Sequence, residues 1–221
     1  MAPFATIYSY SDNFRVKRAH VLAVIGGLEL VESPNFVMGH TNRSTEFLSK
    51  FPLGKVPALE TADGFTITEG QAICRFIAES GSKSDQLLGR DIKTRARIDE
   101  WSCFAEQEIV GNTLPVLGML VLKVTPFNQF RYDWCVKYLE KALGRLEIAL
   151  REGNKRFLVG EELTLADIMV GGALFRAGTF LMDIEMLKAT PEVSRYMKGL
   201  LEVPEVEAAF GPFQVCEARL K

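Results

Sequence analysis

Strand signals in this chain stop before residue 70, and nearly everything after follows a helical period. That switch of period describes a small α/β domain followed by an all-helical one, and no internal repeat or low-complexity segment is visible. Ala5-Thr-Ile-Tyr-Ser-Tyr10 is rich in β-branched and aromatic residues and reads as a strand. A helix is expected from about Phe14 to Ile25, stopped by Gly26-Gly27, and a second strand over Leu28 to Val31. Asn42 or Ser44 caps a short helix carrying Phe47 and Leu48, which Pro52 ends. Val56 to Thr61 and Phe65 to Thr68 read as a hairpin around Asp63-Gly64, and Glu69 to Ser80 as a helix. The order βαβ-α-ββα describes a small mixed α/β sheet domain over residues 1–81.

Residues 82–90 are poor in apolar side chains and read as a linker. Beyond them, 91–221 read as an all-helical domain. Ile98, Trp101, Ala105 and Ile109 recur at helical steps, as do Cys135, Leu139, Ala142, Leu146 and Ala149 in a helix closed by Gly153-Asn154. Thr164-Leu-Ala-Asp167 is a capping box, Thr190-Pro191 starts a further helix, and Val203-Pro204 opens a last short one.

Composition excludes several classes. A net charge of -2 gives no basic footprint for nucleic acid. The most apolar stretches, Val21–Leu30 and Leu114–Val124, are too short to span a bilayer, and the N-terminus has no secretory pattern. A cytoplasmic protein is expected. Cys74, Cys103, Cys135 and Cys216 are scattered without zinc-ligand spacing and read as structural thiols. His20 and His40 have no partner motif, so no metal and no histidine triad is expected.

Two stretches carry chemistry. In Phe51-Pro-Leu-Gly-Lys-Val-Pro-Ala-Leu59, Pro57 opens a strand, which points to a cis Val56-Pro57 bond turning the Val56 backbone outward to pair with a peptide-like ligand. The alternative is a plain tight turn before an edge strand. In Thr68-Glu-Gly-Gln-Ala-Ile73, Glu69 and the Gly70 amide stand at a helix N-terminus, suited to a carboxylate and a neighbouring ammonium. The alternative is Thr68 capping the helix while Glu69 complements its dipole.

On these residues the chain resembles the cytosolic glutathione transferases, over nearly its whole length. Within that family, Tyr8-Ser-Tyr-Ser-Asp-Asn-Phe-Arg15, Asp99-Glu-Trp101 and Phe104-Ala-Glu106 are similar to the transferase-like domain of elongation factor 1 gamma. The resemblance implies a thioredoxin-like N-terminal domain that binds glutathione, an all-helical domain supplying most of a second-substrate pocket, and a homodimer. Lys55, Val56, Pro57, Glu69 and Gly70 would hold glutathione. Gly70 stands where the family usually has serine.

A thiolate must be stabilised for attack on an electrophile. Donors at the first strand-to-helix junction are Asn13, helped by Arg15, with Ser11 as fallback. Asn13 reads equally as an N-cap, and Arg15 as a surface cation or ion-pair partner. Tyr8 and Tyr10 read as packed strand residues. Phe104, Glu108 and Asn112, at i, i+4 and i+8, share one helix face and could line the second-substrate pocket. The expected function is a glutathione-dependent transferase, or an isomerase working by reversible thiol addition, acting on a small electrophilic or unsaturated substrate. The alternative is a non-catalytic interaction subunit of the elongation factor 1 complex. A thiol-disulfide reductase is disfavoured because no cysteine lies near the first helix.

Overall fold

A computed structural model describes residues 2–153 and 155–220. The N-terminal half contains β1 (Ala5–Tyr8), α1 (Phe14–Gly26), β2 (Leu30–Glu32), α2 (Thr45–Lys50), β3 (Ala58–Thr61), β4 (Thr66–Thr68) and α3 (Gly70–Ser80). The four-stranded sheet runs β2-β1-β3-β4. β1 pairs parallel with β2 and antiparallel with β3, and β3 pairs antiparallel with β4. This is the expected thioredoxin-like arrangement. The parallel β1–β2 pair requires a crossover, which α1 supplies.

Strand ends differ from the sequence reading by a residue or two. Gly27, at φ 71°, closes α1 in the left-handed conformation, and the Leu28 amide donates back to the Ala23 carbonyl at 2.8 Å, so β2 starts only at Leu30. Ser44 is the cap of α2, its hydroxyl accepting from the Phe47 amide at 3.1 Å.

The second half is helical: α4 (Ser84–Leu88), α5 (Ile92–Phe104), a π-helical turn (Ala105–Val110), α6 (Gly111–Leu120), α7 (Gln129–Arg151), α8 (Leu165–Phe180), α9 (Ile184–Ala189), α10 (Pro191–Leu201) and α11 (Pro204–Phe210). The stretch read as a linker holds α4, whose Leu87 and Leu88 are buried. The expected closure of α7 at Gly153-Asn154 falls partly on Asn154, which lies outside the described residues; α7 itself ends at Arg151.

The capping box of α8 is present in full. Asp167 accepts from the Leu158 and Thr164 amides, the Thr164 hydroxyl and the Tyr196 hydroxyl. Burial pushes its carboxyl up to about 6, opposed by those donors.

One continuous apolar core joins both halves, from Ile7 and Leu22 through Ile73 and Ile98 to Ala166 and Met197. Helix α8 is its axis, packed on α1, α3 and α5. Ile73, Ile77, Ile98 and Trp101 are buried within the chain itself, and Phe76 is half-buried against Phe4 and Phe65. Among the described residues, no helix is long and apolar enough to cross a membrane.

Candidate functional site

A cleft of about 780 Å³ opens between the 51–57 loop and the start of α3, with Arg15 and Glu106 on its inner side. A smaller cluster of Phe47, Phe51 and Ala58, with Tyr8, Phe36 and Val56 against it, props the loop. The Phe47 and Phe51 rings lie 4.9 Å apart, and Tyr8 meets both at 5.7 Å. Tyr8 donates its hydroxyl to Glu60 at 2.9 Å, and Lys50 holds the same carboxylate. Tyr8 is thus a packed strand residue, whereas Tyr10 is 42% exposed.

The Val56-Pro57 bond is cis. β3 pairing starts at Ala58, so Val56 stands just outside the sheet ladder. Among the described residues its backbone N–H and C=O have no hydrogen-bond partner, although both flank the cleft. Lys55 is exposed at the same rim.

Across the cleft, Glu69 is the N-cap residue of α3 at φ 66° and ψ 114°, a sparsely populated conformation for a residue with a side chain. Neither it nor Thr68 caps the helix with a side chain. The first free amides of α3, at Gly70, Gln71 and Ala72, line the cleft with Glu69. A strained residue that presents free helix amides to a cleft makes an anion-binding end.

The inner side is an arginine–glutamate–arginine cluster. Arg15 donates Nη2 to Glu106 Oε2 at 2.9 Å. Arg18 donates Nη1 to Glu106 Oε1 and Nη2 to the Met169 carbonyl at 2.6 Å. Arg18 is fully buried, and its Nε has no partner. Both guanidinium groups stack near the Phe14 ring, at 4.7 and 4.8 Å. Burial pushes the Glu106 carboxyl up, but Arg18 and Arg15 outweigh it and hold the group below its ordinary value. Two guanidinium groups against one carboxylate leave the cluster one positive charge in surplus, with Arg15 and Glu106 at the cleft and Arg18 buried behind them.

Two glycines make room for this cluster. A Cβ on Gly70 would lie 2.8 Å from Arg15 Cδ, and one on Gly172 of α8 would lie 2.5 Å from Arg18 Nε. The π-helical turn sets the third member. Its Gly111 amide reaches back five residues to the Glu106 carbonyl. The extra residue in this turn shifts the phase of α6 relative to α5.

The expected pocket residues lie elsewhere. Phe104 packs edge-on to Trp101 at 5.2 Å, and Asn112 donates Nδ2 to the Glu108 carbonyl at 2.7 Å. Phe104, Glu108 and Asn112 are not among the residues lining the cleft or the apolar cavity beside it. That cavity, of about 740 Å³, is walled instead by Val110, Leu114, Pro115, Met119, Val124 and Pro126.

Asn13 is the N-cap of α1. Its Oδ1 accepts from the Arg15 amide at 3.1 Å and its Nδ2 donates to Ser9 Oγ at 2.9 Å, and the side chain is buried. Ser11 is exposed and borders a separate depression with Asp12, Lys17 and His20. Of the three activating candidates, Arg15 lines the cleft, as do Lys55, Val56, Pro57, Glu69 and Gly70. Glu106 is the site residue that sequence reasoning passed over. Arg15 and Arg18, three positions apart and so on one face of α1, were the signal that a buried carboxylate could meet them.

Cys74 is buried in the core, and burial pushes its thiol up to about 12, which leaves it inert. Cys103 is exposed and accepts from Gln71 Nε2 at 3.3 Å. His20 pairs with Glu32 at 3.1 Å, and Met182 and Met186 are buried in the helical core.

Comparison with known proteins agrees with this geometry. The family model for the glutathione S-transferase N-terminal domain matches residues 4–79, and that for the C-terminal domain matches 118–204. A glutathione S-transferase-like protein LUC7 from Fusarium is 39% identical over 96% of this chain and 95% of its own length. Elongation factor 1-gamma from Artemia salina is 35% identical over 96% of this chain, which spans 47% of that protein. The GST-like domain of elongation factor 1-gamma from Saccharomyces cerevisiae superposes with a TM-score of 0.81 at 21% identity, covering 100% of this chain and 99% of that one. The glutathione transferase URE2P6 from Phanerochaete chrysosporium, solved with oxidized glutathione, gives 0.82 at 18% identity over 94% and 95%. Both halves are thus matched by domain models of one family, with relatives above 30% identity over nearly the whole chain, and the chain belongs to the glutathione S-transferase family.

Proposed function

We propose that this chain binds reduced glutathione in the 780 Å³ cleft and transfers it to a small electrophile. The observation that carries the reading is the unpaired Val56 backbone facing the free amides of α3, with a positive cluster between them. Val56 would pair with the cysteinyl backbone beside Pro57. Lys55 would meet the glycyl carboxylate, and Glu69 with the Gly70 amide the γ-glutamyl end. Arg15 carries the charge that stabilises the thiolate, while Asn13 is spent on capping α1.

In transfer, the thiolate sulfur bonds to the electrophilic carbon and the leaving group departs with the bonding pair. In addition to a conjugated double bond, the thiol proton ends on carbon and nothing leaves. Reversal of that addition after bond rotation isomerises the double bond and returns glutathione unchanged. Both use the same thiolate. We place the protein in the cytoplasm and as a two-fold dimer. Sedimentation at micromolar concentration giving the mass of one chain would remove the dimer.

Calorimetric titration with reduced glutathione tests the reading. Binding is expected in roughly the micromolar to millimolar range of working substrates. Absence of heat and of any thermal shift at saturating glutathione overturns it. That outcome would favour a second reading, an interaction module like the elongation factor relatives, which is supported by the 35% identity to the Artemia protein.

A further inference from the structure

The 740 Å³ cavity shares Arg15, Glu106 and Leu114 with the glutathione cleft, so a molecule in it would lie against a thiol held near Arg15. Its walls are apolar, but its mouth is not. Exposed Thr125, in the loop before α7, stands there with exposed Asn128 and Arg131 at the helix start. Arg131 is exposed, and among the described residues its guanidinium has no carboxylate partner. Asn128 caps α7 through Oδ1, which accepts from the Arg131 amide at 2.8 Å. The Gln129 and Phe130 amides stay free at the positive end of a 23-residue helix with no acid in its first turn. Asp133, one turn further on, is engaged by Gln129 at 2.9 Å. The one carboxylate lining the cavity, Glu106, is neutralised twice over by Arg15 and Arg18.

An apolar chamber with a cationic mouth and a neutralised floor selects amphipathic anions. We propose that the second substrate is an electrophile with an apolar or aromatic body and a terminal carboxylate, which Arg131 and the start of α7 receive. The reactive carbon then points inward, to Arg15. The inward direction rests on the glutathione reading; the anion site does not.

The test uses the whole chain and two matched probes, 4-chloro-3-nitrobenzoate and 4-chloro-3-nitrobenzamide. They differ in charge and little in shape. Binding is measured by calorimetry without glutathione. The benzoate should bind about tenfold more tightly, as one charge-assisted hydrogen bond allows. Arg131→Gln should lower benzoate affinity to that of the benzamide, and Arg131→Lys should restore part of the preference. Equal affinities in the native chain, no binding of either probe, or a preference that survives Arg131→Gln overturns the proposal. Glutathione is then added. Turnover forms the C–S bond as the C–Cl bond breaks; chloride takes the bonding pair and buffer the thiol proton. An anion preference without turnover upholds this inference and counts against the transferase reading. Turnover without a preference does the reverse.

Discussion

Replacing Gly70 by serine sets two expectations against each other. On the family pattern, serine at this position adds a hydroxyl for glutathione and should tighten binding. On this geometry it should do harm, because the new Cβ would stand 2.8 Å from Arg15 Cδ and 3.4 Å from Cγ and Nε. These atoms are mid-chain, so Arg15 cannot yield by turning its tip alone. It must withdraw, and the 2.9 Å bond to Glu106 breaks. A hydrogen bond between charged groups contributes about 1.5–3 kcal/mol, and the lower figure suits a pair whose side chains are each about one-fifth exposed. The larger effect is on the thiol. A guanidinium close to an anion lowers its pKa by about 1–3 units, so losing Arg15 should raise the pKa of bound glutathione by at least about one unit. Below that pKa the thiolate fraction, and with it the rate, falls about tenfold. Folding should lose only about 1 kcal/mol, because serine is a better helix residue than glycine by about 0.5 kcal/mol, which offsets part of the lost bond. Ultraviolet titration of bound glutathione reads the thiol directly, and a thermal melt guards against misfolding. A G70S protein with an unchanged or lower thiol pKa and native melting would refute the assignment of Arg15.

Three further outcomes are expected. Asn13→Ala should lower stability by about 1 kcal/mol through loss of the α1 cap, with little change in thiol pKa, while Ser11→Ala should change neither; a thiol pKa raised by Ser11→Ala would make Ser11 the activating residue. Glu69→Gly should relieve strain of about 1–3 kcal/mol, less about 0.5–1 for glycine's added freedom, so the chain melts higher while binding glutathione more weakly. Equal affinity in that variant, read by calorimetry, would remove Glu69 from the site. Asp167, raised to about 6, binds its proton more tightly folded than unfolded, so its contribution is fullest below the ordinary carboxyl range and is lost as pH rises through about 6. The difference in unfolding free energy between the native chain and Asp167→Asn should slope over pH 4–6, by at most about 3 kcal/mol; a flat difference would show the carboxyl to titrate normally.

The sheet domain was legible because its punctuation is strong. Gly26-Gly27, Asp63-Gly64 and Pro57 each force a backbone state that few other residues supply, and each sits at the expected boundary. The helix of Ser84–Leu88 was not, since five residues are too few to show a period and Leu87-Leu88 are adjacent. Asn13 illustrates a different limit. Its position suits an N-cap and a sulfur donor equally, and only the bonds to Ser9 and the Arg15 amide show where its amide is spent. The reading of Phe104, Glu108 and Asn112 assumed an unbroken 3.6-residue period. A π-helical turn violates that assumption without any proline or glycine inside it to announce the change.

That turn also bears on how such chains should be compared. It amounts to an insertion of one residue that lengthens no loop, absorbed inside a helix where alignment methods are most reluctant to open a gap. Forced into gapless register, a relative without it would show its acidic residue beside the wrong neighbour, and every position C-terminal to the turn would be rotated by about 100° in inferred facing. Tabulating which chains pair an acid in this helix with an arginine two residues after the first helix's cap would therefore need superposed backbones, not columns. The partnership of Arg15 and Glu106 is a property of shape before it is a property of sequence position.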